Sequence, residues 1–185
     1  MSNLIVEFEN VISDFFCDDI IEYFESNTVD EIKLEIPKNH IELHRIEKTL
    51  FKKLNGCISD YKKKLLNLNT DKSNEIINLL VNGVYTKNFT INKVVKNLEK
   101  KYCDSLHKSF NRYNVLNFVF YLNELKEDCE LEFELQKENE TVNIIPKKCK
   151  LVLFPEDLEY EYKLKNPKNE NLYIIYGQLC NNIFI

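Results

Sequence analysis

Arginine and histidine are scarce in this chain. Of 25 basic residues in a 185-residue sequence of net charge -5, only Arg45 and Arg112 are arginines. The planar guanidinium forks that grip phosphates are therefore nearly absent, and nucleic-acid binding is not expected. Histidine occurs three times, as His40, His44 and His107, and none follows residue 107. Glycine also occurs three times, and Gly56, Gly83 and Gly177 stand alone, so no glycine-rich loop exists to cradle a nucleotide phosphate. Tryptophan is missing altogether. The six cysteines (Cys17, Cys57, Cys103, Cys129, Cys149, Cys180) contain no Cys-X-X-Cys pair and no close Cys/His cluster, which argues for reduced thiols rather than a zinc site. No basic leader with an apolar stretch follows Met1-Ser2-Asn3-Leu4, and no later run is long and apolar enough to cross a bilayer. The expected setting is cytoplasmic, either host cytoplasm or virion interior if the source is viral.

What is present is ordinary globular composition: 44% hydrophobic, 30% charged and 12% aromatic residues. A chain of this length buries roughly 70% of its unfolded surface in one compact unit, so a single domain over 1–185 is expected. Leu4 to Phe8 alternates as a strand does. A helix is predicted to start near Ser13, burying Phe16, Ile20, Ile21 and Phe24. From Ile41 to Leu66, one stripe carries Ile46, Leu50, Leu54, Ile58, Tyr61 and Leu65, the spacing of a long amphipathic helix. The residues Asn67, Asn69, Asp71, Ser73 and Asn74 read as a polar loop before a short apolar piece at Ile76 to Val81. From Phe89 the pattern turns to short β-rich runs: Phe89 to Val95, Val115 to Leu122, Glu130 to Leu135, Val142 to Ile145, Lys150 to Phe154, Leu158 to Leu164 and Leu172 to Leu179. Supporting helices over 1–88 followed by a β core over 89–185 predict an α+β fold, with helices packed on a sandwich or barrel. Abundant Lys, Asn and Ile beside few Gly, Pro and Arg suggest an A/T-rich genome, as in many giant viruses, amoebae and some parasites.

Four short stretches of the second half resemble the iron and 2-oxoglutarate-dependent dioxygenases, in the prolyl 4-hydroxylase-like branch. Asn117-Phe118-Val119-Phe120-Tyr121-Leu122-Asn123 is similar to that family's strand ending in Tyr-Leu-Asn, and Cys129-Glu130-Leu131-Glu132-Phe133 to its Gly-Glu-Leu-Glu-Phe. Lys147-Lys148-Cys149-Lys150-Leu151-Val152-Leu153-Phe154-Pro155 resembles Pro-Lys-X-Gly-X-Leu-Val-Leu-Phe-Pro, and Leu172-Tyr173-Ile174-Ile175-Tyr176-Gly177-Gln178-Leu179 resembles Arg-Tyr-X-Ile-X-Gly-Trp-Leu. Phe15, Cys17, Ile20, Ile21, Tyr23 and Phe24 look like the opening helix of the same family, and Ile41 to Leu66 like its long supporting helix. The resemblance implies a double-stranded β-helix with N-terminal helices packed on the major sheet.

It also implies where the chemistry ought to be. The family holds iron(II) with a His-X-Asp motif and a distal histidine, leaving open positions for 2-oxoglutarate and oxygen. Alignment puts His107-Lys108-Ser109 on His-X-Asp, Tyr160 on the distal histidine, and Leu172 on the arginine that pairs with the far carboxylate of 2-oxoglutarate. One ligand position in four survives, and no histidine downstream of His107 can supply the distal one. Loss of second-shell partners alone lowers metal affinity about 10 to 100-fold, so loss of two direct ligands predicts no useful iron binding. Losing the charged hydrogen bonds to 2-oxoglutarate removes on the order of 1.5–3 kcal/mol more. The expectation is a pseudoenzyme without catalytic, metal-binding or cofactor-binding residues, acting on a protein partner. An active, divergent dioxygenase for prolyl or lysyl side chains is the alternative, and a ligand-binding module using the old cavity is a third.

No other constellation in the sequence rescues that chemistry. Asp104 stands an odd separation from His107, the wrong strand parity for a replacement carboxylate. Lys163, Lys165 and Lys168 might stand in for the arginine, but read as solvated lysines on a polar hairpin tip. Tyr160 as a tyrosinate ligand is less favoured than a buried core tyrosine. His40 and His44 have helix spacing for zinc, but Glu42 falls on another face and no third ligand follows. Cys103 and His107 lack an orienting third group for nucleophilic catalysis. Lys62, Lys63 and Lys64 read as a solvated helix end. The acidic stretch Glu124 to Glu140 reads as a solvated sheet face, with a docking surface for a basic partner as its functional alternative.

Overall fold

The computed structural model describes residues 2–28, 32–36, 41–86, 89–96, 102–103, 114–125, 129–135, 140–156 and 160–181. A 3-10 turn at Ser2–Leu4 leads into strand β1 (Val6–Phe8), and helix α1 spans Asp14–Asn27. Ser13 caps that helix, its hydroxyl accepting from the Phe16 amide at 3.2 Å, and Phe16, Cys17, Ile20 and Phe24 form its buried face. After β2 (Lys33–Glu35) comes the long helix α2 (Ile41–Leu68), with every residue of the predicted stripe buried. Tyr61, in its C-terminal half, is anchored as well as buried: its hydroxyl donates to the Leu4 carbonyl at 2.8 Å.

The polar run after α2 corrects the loop expectation, because it forms a helix, α3 (Asp71–Val81). Asn69 ends α2 in the left-handed region (φ 47°), and Thr70 and Ser73 form a reciprocal capping box, each side chain bonding the other's amide. The polar residues that suggested a loop are thus the cap and the outward face of a new helix. Lys62 and Lys63, expected to be merely solvated, are also engaged: Lys62 donates to the Leu80 carbonyl at 3.0 Å and Lys63 pairs with Asp60.

The remaining strands are β3 (Val84–Thr86), β4 (Thr90–Val94), β5 (Tyr102–Cys103), β6 (Asn114–Tyr121), β7 (Leu131–Leu135), β8 (Glu140–Ile144), β9 (Leu151–Pro155), β10 (Tyr160–Lys165) and β11 (Leu172–Asn181). All pairings are antiparallel, in a major sheet ordered β1-β9-β6-β11-β4-β2, with β3 also on β11, and a minor sheet ordered β5-β10-β7-β8. From β4 to β11 the chain crosses between the sheets at every step except the β7–β8 hairpin, which is double-stranded β-helix winding.

Strand β6 runs through the centre of the major sheet and is buried along its whole length. Its alternation divides the core. Leu116, Phe118 and Phe120 pack with the helices, while Val119 and Tyr121 belong to a second cluster shared with the minor sheet. The helix layer is further tied down by charge, since Glu25 of α1 pairs with Lys93 of β4 at 2.8 Å and accepts from the Tyr173 hydroxyl of β11 at 2.8 Å. The Lys93 hydrogen bond is the main reason the Glu25 carboxyl titrates below its usual range. A lowered folded value makes this contribution present above the unfolded value of about 4.3 and lost as pH falls through the folded one. Glu25→Gln is therefore expected to flatten the acid limb of a stability–pH profile while leaving stability above pH ~7 reduced by no more than about 1 kcal/mol, given the partial exposure. Equal acid sensitivity in wild type and variant would refute the assignment.

Candidate functional site

In a double-stranded β-helix the space between the two sheets is where a ligand would sit, and it is built here from alternate residues of β6, β7, β9, β10 and β11. Val119, Tyr121, Leu131, Phe133, Val152, Phe154, Tyr162, Leu164, Leu172 and Ile174 line it, all buried. Three rings fill its middle. The Phe133 and Phe154 centroids are 4.9 Å apart and edge-on, and Phe154 and Tyr162 stand 5.0 Å apart, also edge-on.

Leu172, on the predicted arginine position, starts β11 opposite Val94 and is fully buried in this apolar cluster. Its place is fixed from both sides by Asn123, the last residue of the Tyr-Leu-Asn stretch. The Asn123 side chain accepts from the Tyr173 amide at 2.8 Å and donates to the Asn171 carbonyl at 2.9 Å. Tyr121, from the same stretch, is wholly buried, and its hydroxyl has no hydrogen-bond partner among the described residues. Burial pushes that phenol strongly upward, so it stays neutral.

Tyr160 begins β10 opposite Leu135, two and four positions before the lining residues Tyr162 and Leu164. His107 and Ser109, like Asp104 and His40, lie outside the described residues. Cys103 ends β5 opposite Leu164. His44 sits on α2 with its side chain mostly exposed and 3.7 Å from Glu47, as an ordinary surface histidine does.

Two of the three lysines named as stand-ins for the arginine, Lys163 and Lys165, are committed elsewhere. Lys163 and Lys165 are strand residues of β10, not a hairpin tip. Lys163 pairs with Glu134 at 3.0 Å, and Lys165 with Glu132 at 3.0 Å and Glu130 at 3.1 Å. Those hydrogen bonds raise the Lys165 ammonium well above its ordinary value. Since β10 alternates, these lysines occupy the face opposite Tyr162 and Leu164, and the acidic stretch is in good part a cross-strand ion-pair ladder on the outside of the minor sheet.

The implied cofactors can be tested against these donors. A dicarboxylate whose far end reaches the start of β11 meets an aliphatic side chain and one neutral phenol, where a buried carboxylate requires charge or several hydrogen bonds. The resemblance places Tyr160, at the start of β10, where those enzymes have their distal histidine. Among the described residues, no cluster of three or more His, Cys, Asp or Glu side chains is arranged to hold a metal ion. At the start of β11, the aligned arginine position holds the buried aliphatic side chain of Leu172.

Sequence reasoning missed a buried polar cluster in the same interior. Asn117 of β6, fully buried, accepts from the Tyr176 hydroxyl at 2.9 Å and from Gln178 Nε2 at 3.2 Å, and donates to the Glu156 carboxylate. The Tyr162 hydroxyl reaches Tyr176 at 3.4 Å from the opposite sheet. Burial pushes Tyr176 up to about 12, so it acts as a neutral donor. The only sequence signal was the odd parity of Asn117 with Val119 and Tyr121 on an otherwise apolar strand. Asn117→Ala removes a hydrogen-bond partner from the half-buried Tyr176, Gln178 and Glu156 at once and is expected to cost about 2 kcal/mol in denaturant unfolding. A cost below about 0.5 kcal/mol would show the cluster to be hydrated.

Scanned against protein-family models and against curated proteins, the sequence matches none. Solved structures do match. A prolyl hydroxylase from Trichoplax adhaerens, in complex with a hypoxia-inducible factor oxygen degradation domain peptide, is similar with a TM-score of 0.63 at 14% identity, over 97% of this chain and 84% of that one. The viral collagen prolyl hydroxylase of Paramecium bursaria Chlorella virus-1, in truncated form, gives 0.61 at 12% identity, over 96% and 90%. A Pseudomonas putida prolyl-4-hydroxylase gives 0.61 at 12% identity, over 97% and 93%. At such identities the likeness speaks for architecture alone, and it agrees with the strand order found here: this chain has the double-stranded β-helix fold of the prolyl 4-hydroxylases.

Proposed function

We propose that this protein is a catalytically inactive relative of the Fe(II)/2-oxoglutarate dioxygenases that works by binding another protein. The observation that carries the reading is Leu172, sealed in an apolar core at the position where the resemblance requires a guanidinium. The interlocked rings of Phe133, Phe154 and Tyr162 support it, because they spend the barrel interior on packing. The absence from the sequence of any histidine beyond His107 supports it independently. With the chemistry gone, the retained surface is what remains to act, and the expected partner is a protein in the cytoplasm or, for a viral source, in infected cells or the virion. The outer face of the minor sheet favours a basic partner, since Glu130, Glu132, Glu134 and Glu161 outnumber Lys163 and Lys165 there.

The purified chain is expected to bind neither Fe(II) nor Mn(II) stoichiometrically, to show no thermal shift with 2-oxoglutarate, and to release no succinate. Stoichiometric metal with uncoupled 2-oxoglutarate turnover would establish the opposing reading, a divergent active hydroxylase of prolyl or lysyl side chains. The double substitution Ser109→Asp and Tyr160→His, which rebuilds a two-histidine, one-carboxylate set with His107, is expected to confer Mn(II) binding and so to test the alignment itself.

A further inference from the structure

Cys17 and Cys149 come from α1 and from the turn that leads into β9, yet their sulfurs are 3.7 Å apart and both residues are buried. The turn is held tightly: the Cys149 amide donates to the Tyr121 carbonyl at 3.0 Å, and its own carbonyl accepts from the Val11 amide at 2.9 Å. These bonds keep Cys149 at φ 67°, a left-handed conformation that glycine takes freely and an L side chain only under strain. A side chain retained there has a contact to make, and its thiol makes two. It donates to Asp14 Oδ1 at 3.0 Å and faces Cys17. Beside it, Lys148 pairs with Asp18 at 2.7 Å, clamping the same turn onto the same helix. Among the described residues no other cysteine pair has this arrangement, since Cys129 donates to the Lys165 carbonyl and Cys180 to Asn114.

We propose that Cys17 and Cys149 are a reversible oxidation site, converted by hydrogen peroxide into a disulfide that locks the helix layer onto the major sheet. The Cys149 sulfur attacks one peroxide oxygen, the O–O bond breaks, and the thiol proton passes to the departing hydroxide, leaving a sulfenic acid and one water. The Cys17 sulfur then attacks the sulfenic sulfur, the S–O bond breaks, and the expelled hydroxide takes the Cys17 proton as a second water. Two thiols are oxidised by two electrons and one peroxide is reduced. Closure to a bond of about 2.05 Å requires the sulfurs to approach by roughly 1.6 Å, within reach of side-chain rotation and a small shift of the first turn of α1. Burial raises both thiols above their ordinary range, and the Asp14 carboxylate further holds the proton on Cys149, so oxidation is slow and follows opening of α1.

The test treats the full chain with millimolar hydrogen peroxide and compares intact mass, a non-reducing digest and the melting temperature. The expected result is loss of two hydrogen atoms, a Cys17–Cys149 cross-linked peptide, and a melting temperature raised by about 5–10 °C that dithiothreitol reverses. Cys149→Gly, which suits the left-handed turn, is expected to abolish the cross-link and the shift, and Cys17→Ser to do the same. Unchanged mass, oxygen adducts without the cross-link, a bond between any other pair, or a shift that survives in Cys149→Gly would each overturn the proposal.

Discussion

Phe154→Ala is expected to destabilise the protein by about 3–5 kcal/mol, enough to lower the melting temperature of a chain this long by roughly 10 °C. Phe154 is wholly buried, and its ring touches two others, Phe133 and Tyr162. The strand that carries it is bonded on one side to β1 and on the other to the fully buried β6, so the backbone has little freedom to collapse into the space left behind. The lost transfer energy and the cavity therefore add, and two edge-on ring contacts go with them, at about 0.5–1.5 kcal/mol each. Denaturant unfolding followed by circular dichroism gives the number. A loss near 1 kcal/mol would mean that the barrel interior is loose or already open, and the pseudoenzyme reading would lose its main packing argument.

That experiment separates two ways of using one architecture. A double-stranded β-helix enzyme keeps its inter-sheet space for a cofactor, so the residues lining it contribute less to stability than their burial suggests. In this protein the major sheet has apolar clusters on both faces, one beneath α1, α2 and α3 and one against the minor sheet. The polar groups inside are bonded mainly to each other, around Asn117. Such an interior behaves as a second core, and its aromatic members carry stability that an open pocket would forgo.

The strands and the long helix were legible because their patterns are strong: the α2 stripe from Ile46 to Leu65 and the runs from Thr90 to Leu179 obey the periods that burial imposes. The pairing of strands into two sheets was not legible from period alone, and came from the order of Tyr-Leu-Asn, Leu-Val-Leu-Phe-Pro and the final strand. Short elements escaped. Strands β2 and β3 have three residues each, too few for alternation to show, and α3 opens with polar residues that cap a helix as readily as they make a loop. In the site, Leu172 could be placed by alignment, yet its burial and the anchoring of its neighbours by Asn123 are tertiary facts. The pairing of Lys163 and Lys165 with glutamates on β7 depends on cross-strand register, which local sequence does not encode.

Leu172→Arg, the substitution that puts a guanidinium where the resemblance to the dioxygenases places their 2-oxoglutarate-binding arginine, is expected to be strongly destabilising, by at least about 3 kcal/mol. Leu172 is fully buried in an apolar cluster with Val94, Ile174 and Leu164, and a guanidinium there exchanges an apolar contact for five buried donors. Glu130, Glu132 and Glu134 are on the outer face of the minor sheet, bonded to Lys163 and Lys165, and the inner carboxylate of Glu156 is bonded to Asn117. An enzyme pocket would answer differently, because a dicarboxylate entering from the mouth would pair with the new cation and recover the loss. Phe133, Phe154 and Tyr162 pack edge-on in that interior, so adding 2-oxoglutarate is expected to leave the melting temperature of the variant unchanged. Recovery of several degrees with 2-oxoglutarate, absent with a monocarboxylate of similar size, would show that the barrel still admits the ligand and that only its anchor had been lost.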